Sequence, residues 1–313
     1  MERPKIAVVV GPTASGKTAA AVELAKRLDG EVISADSMQI YRHMTIGTAK
    51  PLPEEMEGIP HHLIDCVDPD QEYSVACFKD DALSCIEDIR ARGKQPVIAG
   101  GTGLYVNGLT LPWGFREKDS DEAVRRTLEE EAAAMGNEAF HDLLKAVDEK
   151  AAAEIHPNNV KRVVRALEIY RVTGKTKSQL DAEAQKESLP YEYVLMGIHM
   201  PRERLYERIN RRIDLMVEAG LLDEIKALLA MGYDENLPAL KAIGYKELFP
   251  YLKGEMSLDE ALYVLKRDTR HFAKRQLTWF RKDERITWFE AEDYPDAAAM
   301  AAAMKTYFEG DRN

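Results

Sequence analysis

The sequence predicts an α/β protein built on a doubly wound parallel sheet, and two observations support this prediction. Short runs of apolar, often β-branched residues occur at 6–10 (IAVVV), 31–35 (EVISA) and 96–99 (PVIA). Such continuous runs are typical of strands that a parallel sheet buries on both faces. Between the first two runs, the apolar residues at 19–28 follow helical spacing and end at Gly30. Strand and helix therefore alternate, as they do in a sheet with helices on both faces.

The middle of the chain has a different pattern. From about 113 to 190 the sequence is rich in alanine and glutamate, which predicts helix throughout. Three helix-breaking residues divide this segment: Gly136, Pro157 and Gly174. We therefore expect a helical insertion domain at 113–190, within an α/β core that is made of 1–112 and 191–313.

The last third of the chain returns to a mixed pattern. Strand-like residues at 193–200 and 286–290 predict two further strands. Between them, 258–280 carries a largely apolar stripe at helical spacing, which predicts a long amphipathic helix. Basic residues recur on another face of this helix: Arg267, Arg270, Lys274 and Arg281.

Composition excludes several classes of protein. The 313 residues, 45% of them hydrophobic, are enough to bury a sizeable core. No apolar run approaches the roughly 18 residues that a membrane span needs. The three cysteines (Cys66, Cys77 and Cys85) include no C-x-x-C pair, so we expect neither a disulfide framework nor a zinc finger. We expect the cysteines to be reduced and mostly buried, in a soluble, cytoplasmic protein. No interface-like stripe stands out, so we also expect a monomer.

Charge is distributed unevenly along the chain. The formal net charge is −11, which by itself argues against a nucleic-acid partner. However, segment 116–154 holds six basic and twelve acidic residues, whereas 161–177 holds six basic and one acidic, and 266–285 holds eight basic and three acidic. Because salt screens exposed charges beyond about 10 Å, a ligand experiences the local charge and not the sum. A nucleic-acid partner for the two basic segments therefore remains open.

A phosphate-binding loop follows the first predicted strand. Residues 11–18 (GPTASGKT) match G-x-x-x-x-G-K-[ST], with a strand before and a helix after the motif. Backbone N–H groups of such a loop cradle a diphosphate, its lysine reaches the phosphate oxygens, and its threonine hydroxyl binds Mg²⁺. Here the residues expected to bind diphosphate are Gly11, Thr13, Ala14, Ser15, Gly16, Lys17 and Thr18, with Thr18 as the Mg²⁺ ligand. The alternative is a glycine turn that binds nothing.

Two more loops belong at the same edge of the sheet, because ligands of doubly wound sheets bind outside the strand carboxyl ends. Asp36 follows the second strand and has three interpretations: a Mg²⁺ ligand, a general base or a helix N-cap. Gln39 and Tyr41 follow it and suit the edge of a nucleic-acid base. The strand at 96–99 opens into a glycine loop that brings the Thr102 hydroxyl near the phosphates.

The remaining motifs narrow the choice of function. His61 and His62 are adjacent, so on a strand they point to opposite faces, and we interpret them as structural or cleft-lining residues. Neither N-K-x-D nor D-x-x-G occurs, which excludes a switch GTPase. A small-molecule kinase, a transferase acting on a pyrophosphate compound and an RNA-binding protein with a vestigial loop remain.

The motifs in combination resemble the bacterial tRNA dimethylallyltransferase (isopentenyl-tRNA transferase) family in order and spacing, over essentially the whole chain. They are GPTASGKT, ISADSMQIYR, TAKP, PHHLID, AGGTGLY, VKRVVRALEIY, LKAIGYKE and FAKRQLTWFRK. The resemblance implies a P-loop NTPase-like core and transfer of a dimethylallyl group from dimethylallyl diphosphate to N6 of adenosine 37 in tRNA. This reaction uses Mg²⁺ and releases diphosphate. The absence of a C-terminal zinc finger fits the bacterial form.

The resemblance also assigns roles to residues. It implies that Lys17 and Thr102 contact the diphosphate and that Asp36 is the base acting on N6. It places tRNA contacts at Asp36, Ser37, Met38, Gln39, Thr102, Arg125, Lys161, Arg162, Arg165, Lys241, Tyr245, Lys246, Lys274, Arg275, Trp279 and Arg281. In one departure, Asn159 stands where the family often has aspartate.

Overall fold

The computed structural model describes residues 3–112, 120–186 and 188–310, and these residues form a parallel sheet with helices on both sides. The strands are β1 (Lys5–Val10), β2 (Gly30–Ser34), β3 (His61–His62), β4 (Gln95–Gly100), β5 (Glu192–His199) and β6 (Thr287–Glu290). Their order across the sheet is β3-β2-β4-β1-β5-β6, and the paired strands run parallel. The predicted doubly wound α/β class is confirmed.

The apolar runs form strands because the sheet buries them on both faces. In the central strand β1, Val8 pairs with Ile98 of β4 and Leu195 of β5, and none of these side chains is more than 2% exposed. The strands predicted from apolar runs agree with the observed strands to within one or two residues. Strand β3 is only two residues long and lies at the edge of the sheet.

The helices follow the strands along the chain. They are α1 (Lys17–Leu28), α2 (Pro53–Met56), α3 (Val75–Ala91), α4 (Gly103–Thr110), α5 (Glu122–Met135), α6 (Asn137–Val147), α7 (Glu149–Glu154), α8 (Val160–Thr173), α9 (Lys177–Ala184), α10 (Arg202–Glu218), α11 (Leu221–Ala230), α12 (Phe249–Leu252), α13 (Leu258–Phe280) and α14 (Ala297–Glu309). Helix α13 has the predicted bounds and begins with a capping box between Ser257 and Glu260. Leu24 of α1 packs with Met304 and Phe308 of α14 in the main core.

The chain divides into two packing units. The first consists of Met1–Tyr73, Phe78–Val106 and Tyr191–Asn313, and contains the sheet; the second consists of Ser74–Cys77 and Asn107–Pro190. The second unit has its own core, which includes Leu128, Phe140 and Leu167. Its helices agree with the alanine-rich pattern of the sequence. The boundaries of the insertion domain, between 112 and 113 and between 190 and 191, remain a proposal.

Two further observations concern expectations from composition. In the described ranges, no helix is long and apolar enough to cross a membrane. The cysteines are free, as expected, but the expectation that most are buried is wrong: Cys66 is exposed, and Cys77 and Cys85 are half-buried. The buried face of α3 is formed instead by neighbouring positions such as Phe78 and Ile86, so the two helical cysteines flank it.

An ion-pair cluster of Glu31, Arg92 and His62 lies at the edge of the sheet formed by β2 and β3. Glu31, 5% exposed on β2, accepts hydrogen bonds from both terminal nitrogens of Arg92, the Nη2–Oε2 bond measuring 2.8 Å. His62 Nε2 lies 2.7 Å from the same carboxylate, which gives His62 a structural role. The Arg92 guanidinium is the main cause that lowers the pKa of Glu31 to about 2. His61 donates from Nδ1 to the Ile59 carbonyl, 2.8 Å away.

We predict that Glu31→Gln lowers the free energy of unfolding by roughly 3 kcal/mol at neutral pH. This is the free energy that corresponds to the lowering of the Glu31 pKa to about 2. A carboxylate with a lowered native pKa contributes stability above the unfolded pKa of about 4.5, and that stability is lost as the pH falls toward about 2. The difference between wild type and variant should therefore shrink across this window in urea unfolding at stepped pH. Glu87→Gln, on the exposed side of α3, is the matched control. A difference that is constant between pH 5 and 2.5 would contradict the assignment.

Candidate active site

The carboxyl ends of three adjacent strands bring the predicted loops together. Strands β2, β4 and β1 are neighbours, so the loops that begin at Ala35, Gly101 and Gly11 start side by side. The Thr102 N–H donates to the Ala35 carbonyl at 3.2 Å. The Thr102 hydroxyl accepts from the Ser37 N–H at 3.0 Å, so it is anchored beside the loop that carries Asp36.

The phosphate-binding loop has the backbone shape that an anion site requires. Ala14 and Gly16 adopt positive φ values of 63° and 96°, and α1 begins immediately afterwards at Lys17. Gly16 supplies no side-chain cap, so the first N–H groups of α1 are available to an anion. The Ser15 hydroxyl is buried and has no hydrogen-bond partner among the described residues. A buried hydroxyl of this kind suits a phosphate oxygen.

Lys17 lies in an unusual electrostatic environment. Its Nζ donates to the Pro12 carbonyl at 2.6 Å. Burial lowers the pKa of Lys17 to about 8; the Asp36 carboxylate opposes this effect and the Arg212 guanidinium adds to it. The Asp36 carboxylate, predicted as a separate functional group, therefore lies within electrostatic range of Lys17. An anion bound at the loop would favour the charged form of Lys17.

Asp36 occupies a turn and not the N-cap of a regular helix. Its Oδ1 accepts from the Met38 N–H at 2.9 Å, which stabilises the turn that leads to Gln39. The Gln39 amide is oriented by its neighbours: Oε1 accepts from the Ser34 hydroxyl at 3.0 Å, and Nε2 donates to the Ala49 carbonyl at 3.1 Å. The side chains of Asp36 and Gln39 are both half-buried, at the carboxyl end of β2.

Three important residues were missed by the sequence analysis. Gln276, 7% exposed on α13, accepts from the Thr13 N–H at 2.8 Å and donates to the Gly101 carbonyl at 3.0 Å, so it links two of the loops. Arg208 of α10 donates to the Ala14 carbonyl at 2.8 Å, and Arg212 lies one helical turn further along. In the sequence, the features that could have indicated these residues were a glutamine within the largely apolar stripe of α13 and two arginines four residues apart in α10.

Helix α13 also carries a basic groove. Its volume is about 380 Å³, and it is lined by His271, Lys274, Arg275, Thr278, Trp279 and Lys282. Trp279 packs so closely on Gly103 that a Cβ at position 103 would lie 2.2 Å from the indole Cδ1. Arg281 is exposed, and its Nη2 lies 3.0 Å from His199 Nε2.

The other residues expected to contact tRNA differ in their surroundings. Lys161 and Arg162 are exposed on α8, as are Lys241 and Lys246 in the first unit. Tyr245 is 0% exposed, and its hydroxyl donates to Glu224 at 2.8 Å. The polar end of Tyr245 is therefore already buried against a carboxylate, and the expected RNA contact at this residue stays a prediction.

In the second unit, Arg125 and Arg165 both pair with Glu168, which is fully buried. Burial alone would raise the pKa of Glu168, but hydrogen bonds, of which the one from Arg165 is the strongest, bring it below the usual value. Both arginines keep part of their surface exposed, 40% for Arg125 and 33% for Arg165. Asn159 stands at the N-terminus of α8 without a side-chain cap bond.

Comparisons with known proteins agree on one family. A family model described as IPP transferase matches residues 39–283, and one described as isopentenyl transferase matches residues 4–67. A curated tRNA dimethylallyltransferase from Acetivibrio thermocellus is 52% identical over 96% of both chains, and one from Alkaliphilus oremlandii is 49% identical over 99% of both.

Solved structures give the same result. The structure of a tRNA isopentenylpyrophosphate transferase from Bacillus halodurans covers 99% of this chain and 96% of its own, with a TM-score of 0.73 and 47% identity. A eukaryotic dimethylallyltransferase, described as acting on tRNA, covers 99% of this chain and 80% of its own, with a TM-score of 0.84 and 31% identity. The P-loop NTPase-like fold expected from the sequence agrees with these neighbours.

We predict that pyrophosphate binding depends on the protonation of Lys17. Because the pKa of Lys17 is about 8 and an anion favours its charged form, the association constant should fall by up to about tenfold per pH unit above that value. Isothermal titration calorimetry between pH 6.5 and 9.5 measures this. In the Lys17→Arg control the guanidinium stays charged throughout. A wild-type profile parallel to that of the control would refute the assignment.

Proposed function

This chain belongs to the IPP transferase family, and we propose that it transfers a dimethylallyl group from dimethylallyl diphosphate to N6 of adenosine 37 in tRNA, releasing diphosphate. One observation carries the proposal beyond the family membership. Asp36 follows β2 and the phosphate-binding loop follows β1, so a candidate base and a candidate diphosphate site share the carboxyl end of the sheet, where the Asp36 carboxylate opposes the burial that lowers the pKa of Lys17. No comparison supports a small-molecule kinase.

The diphosphate is the leaving group, and its developing charge is the main barrier to reaction. The N–H groups at the start of α1, the Ser15 hydroxyl and Lys17 are positioned to stabilise that charge. Arg208 and Arg212 add positive charge beside the loop. Within the diphosphate site we also include Gly11, Thr13, Ala14, Gly16 and Thr18.

The acceptor amine needs a base, because its lone pair is delocalised into the adenine ring. As the bond from N6 to the allylic carbon forms, the bond from that carbon to oxygen breaks and its electron pair leaves with diphosphate. The N6 proton passes to the Asp36 carboxylate. Such a transfer contributes about 10²–10⁴ in rate. Thr102, anchored to Ser37, is suited to donate to the bridging oxygen of the diphosphate.

A Mg²⁺ ion fits the donor set at this loop. Among the described residues, no cluster of three or more His, Cys, Asp or Glu side chains forms a metal site. Mg²⁺ usually takes one or two protein oxygens together with substrate phosphates and water, so the Thr18 hydroxyl with a diphosphate is a suitable set. When bound, the ion would neutralise charge on the diphosphate oxygens.

Adenosine 37 must leave the stacked anticodon loop to reach Asp36, at a cost of a few kcal/mol. We propose that Gln39, with Ser37 and Met38, reads the extruded base and that basic residues hold the flanking phosphates. These residues are Arg125, Lys161, Arg162, Arg165, Lys241, Lys246, Lys274, Arg275 and Arg281, with Trp279 as a stacking surface. We leave Tyr245 out of this set. A monomer in the cytoplasm completes the proposal.

The experiment that tests the proposal combines the protein, Mg²⁺, labelled dimethylallyl diphosphate and unmodified tRNA in which adenosine 37 is followed by another adenosine. We expect label in the RNA, and no label when adenosine 37 is replaced by guanosine. A parallel reaction contains γ-labelled ATP and the same RNA. Consumption of ATP on a small acceptor, with no prenyl transfer, would overturn the proposed function.

We predict that Asp36→Asn reduces the transfer rate by about 10²–10⁴, because asparagine cannot accept the N6 proton. The affinity for tRNA, measured by filter binding, should stay within about threefold of the wild-type value. Asp80→Asn, on the exposed side of α3, is a matched control and should transfer at the wild-type rate. If Asp36→Asn keeps most of its turnover, Asp36 is not the base.

We predict that Lys274→Ala weakens tRNA binding and makes it less dependent on salt. Each lost phosphate contact should reduce the slope of log K against log salt by about one unit. Lys226→Ala, which removes an exposed lysine from α11, should leave the slope unchanged. Equal slopes for the wild type and Lys274→Ala between 50 and 300 mM salt would exclude a phosphate contact at position 274.

A further inference from the structure

Glu224, on α11, holds a loop that is distant from it in sequence. Its Oε2 accepts from the backbone N–H groups of Thr45 at 2.8 Å and Ile46 at 2.7 Å. Its Oε1 accepts from the N–H of Gly47 at 3.0 Å and from the hydroxyl of Tyr245 at 2.8 Å. A carboxylate can accept hydrogen bonds on both of its oxygens, and here each oxygen accepts from two donors. One carboxylate therefore fixes three successive residues of the loop.

Tyr245 completes this arrangement by packing. Its ring is buried against Gly47, where a Cβ would lie 2.4 Å from the ring carbon Cζ. Gly244 has a φ of +109°, and a Cβ there would lie 2.8 Å from the Gly47 carbonyl oxygen. The contact therefore requires glycine on both sides. This contact brings together two of the motifs noted in the sequence, the loop ending in TAKP and the segment LKAIGYKE.

The loop in turn fixes Gln39. The Ala49 N–H donates to the Ile46 carbonyl at 3.0 Å, and the Lys50 N–H donates to the Thr45 carbonyl at 3.1 Å, so residues 45–50 form one bonded turn. The Ala49 carbonyl then accepts from Gln39 Nε2 at 3.1 Å. The position of the Gln39 amide is therefore linked, through this turn, to the carboxylate of Glu224.

We infer that Glu224 and Tyr245 are positioning residues for adenosine recognition: they hold the turn at 45–50 so that the Gln39 amide faces the edge of the target base in a fixed orientation. The inference rests on the proposed function, because it takes Gln39 as a reader of the adenosine. It differs from a general role in stability, since it predicts that the RNA side of the reaction is affected and the diphosphate side is not.

Glu224→Gln is the variant that tests this inference most directly. An amide has one oxygen, so in either orientation it sets an NH₂ group against two of the four donors that the carboxylate accepts. We expect kcat/KM for an anticodon stem-loop RNA to fall at least tenfold, while KM for dimethylallyl diphosphate stays within twofold. Asp223→Asn is the matched control, because the neighbouring Asp223 is exposed and, in the part of the chain that the structure describes, its side chain pairs with Lys226 of the same helix. It should behave as wild type.

A double-mutant cycle tests whether Glu224 acts through Gln39. In a Gln39→Ala background, Glu224→Gln should change kcat/KM for RNA by less than threefold, because the group that it positions is gone. A tenfold loss in both backgrounds would mean that the two residues act independently, and would overturn the inference.

Tyr245→Phe keeps the experiment decisive if Glu224→Gln does not fold. It removes one of the four donors and keeps the ring against Gly47, so it should lower kcat/KM for RNA in the same selective way but to a smaller extent. An unchanged kcat/KM for RNA in a folded Tyr245→Phe overturns the inference. If wild type and Asp223→Asn transfer no prenyl group, the proposed function itself fails. If both transfer and Glu224→Gln matches them, only the inference fails.

Discussion

The close approach of the ends of β2 and β4 is the constraint on which the candidate site depends. A Cβ at Gly100 would lie 2.1 Å from the Ala35 carbonyl oxygen, so only glycine fits there. The same carbonyl accepts from the Thr102 N–H, and the Ala35 N–H donates to the Ala99 carbonyl at 2.8 Å. The residues after each strand, among them Asp36, are therefore held in register by the backbone, and the hydroxyl groups of Thr102 and Ser37 add a side-chain hydrogen bond of 3.3 Å.

Helix α13 connects the third strand end to this pair. The Gln276 amide lies between the phosphate-binding loop and the loop after β4, and 263 residues separate it from Thr13 in sequence. The same helix exposes Lys274 and Arg275 and packs Trp279 on Gly103. A surface suited to RNA phosphates and a loop suited to diphosphate are thus fixed to each other by one rigid element, which favours a reaction that joins both substrates.

The charges around the site are balanced locally. An acidic chain of net charge −11 still presents exposed lysines and arginines where the two basic segments lie, because the acidic residues are concentrated elsewhere. Within the fold, burial would favour the neutral form of Lys17, and Asp36 partly restores its charge. In the helical unit, the buried Glu168 orients Arg125 and Arg165, which remain partly exposed. In this unit a single buried carboxylate therefore positions two basic groups.

The sequence by itself determined the sheet, the phosphate-binding loop and the placement of Asp36 and Thr102. Strands that are buried on both faces need continuous apolar runs, and an anion loop needs glycines at fixed offsets, so both leave a local pattern. Gln276 and Glu224 left no such pattern. Their partners lie far away in sequence, and the spacing of a polar residue does not reveal which buried donor it will meet. The surroundings of Tyr245 could not be predicted for the same reason: only the tertiary structure sets its hydroxyl against Glu224 and its ring against Gly47.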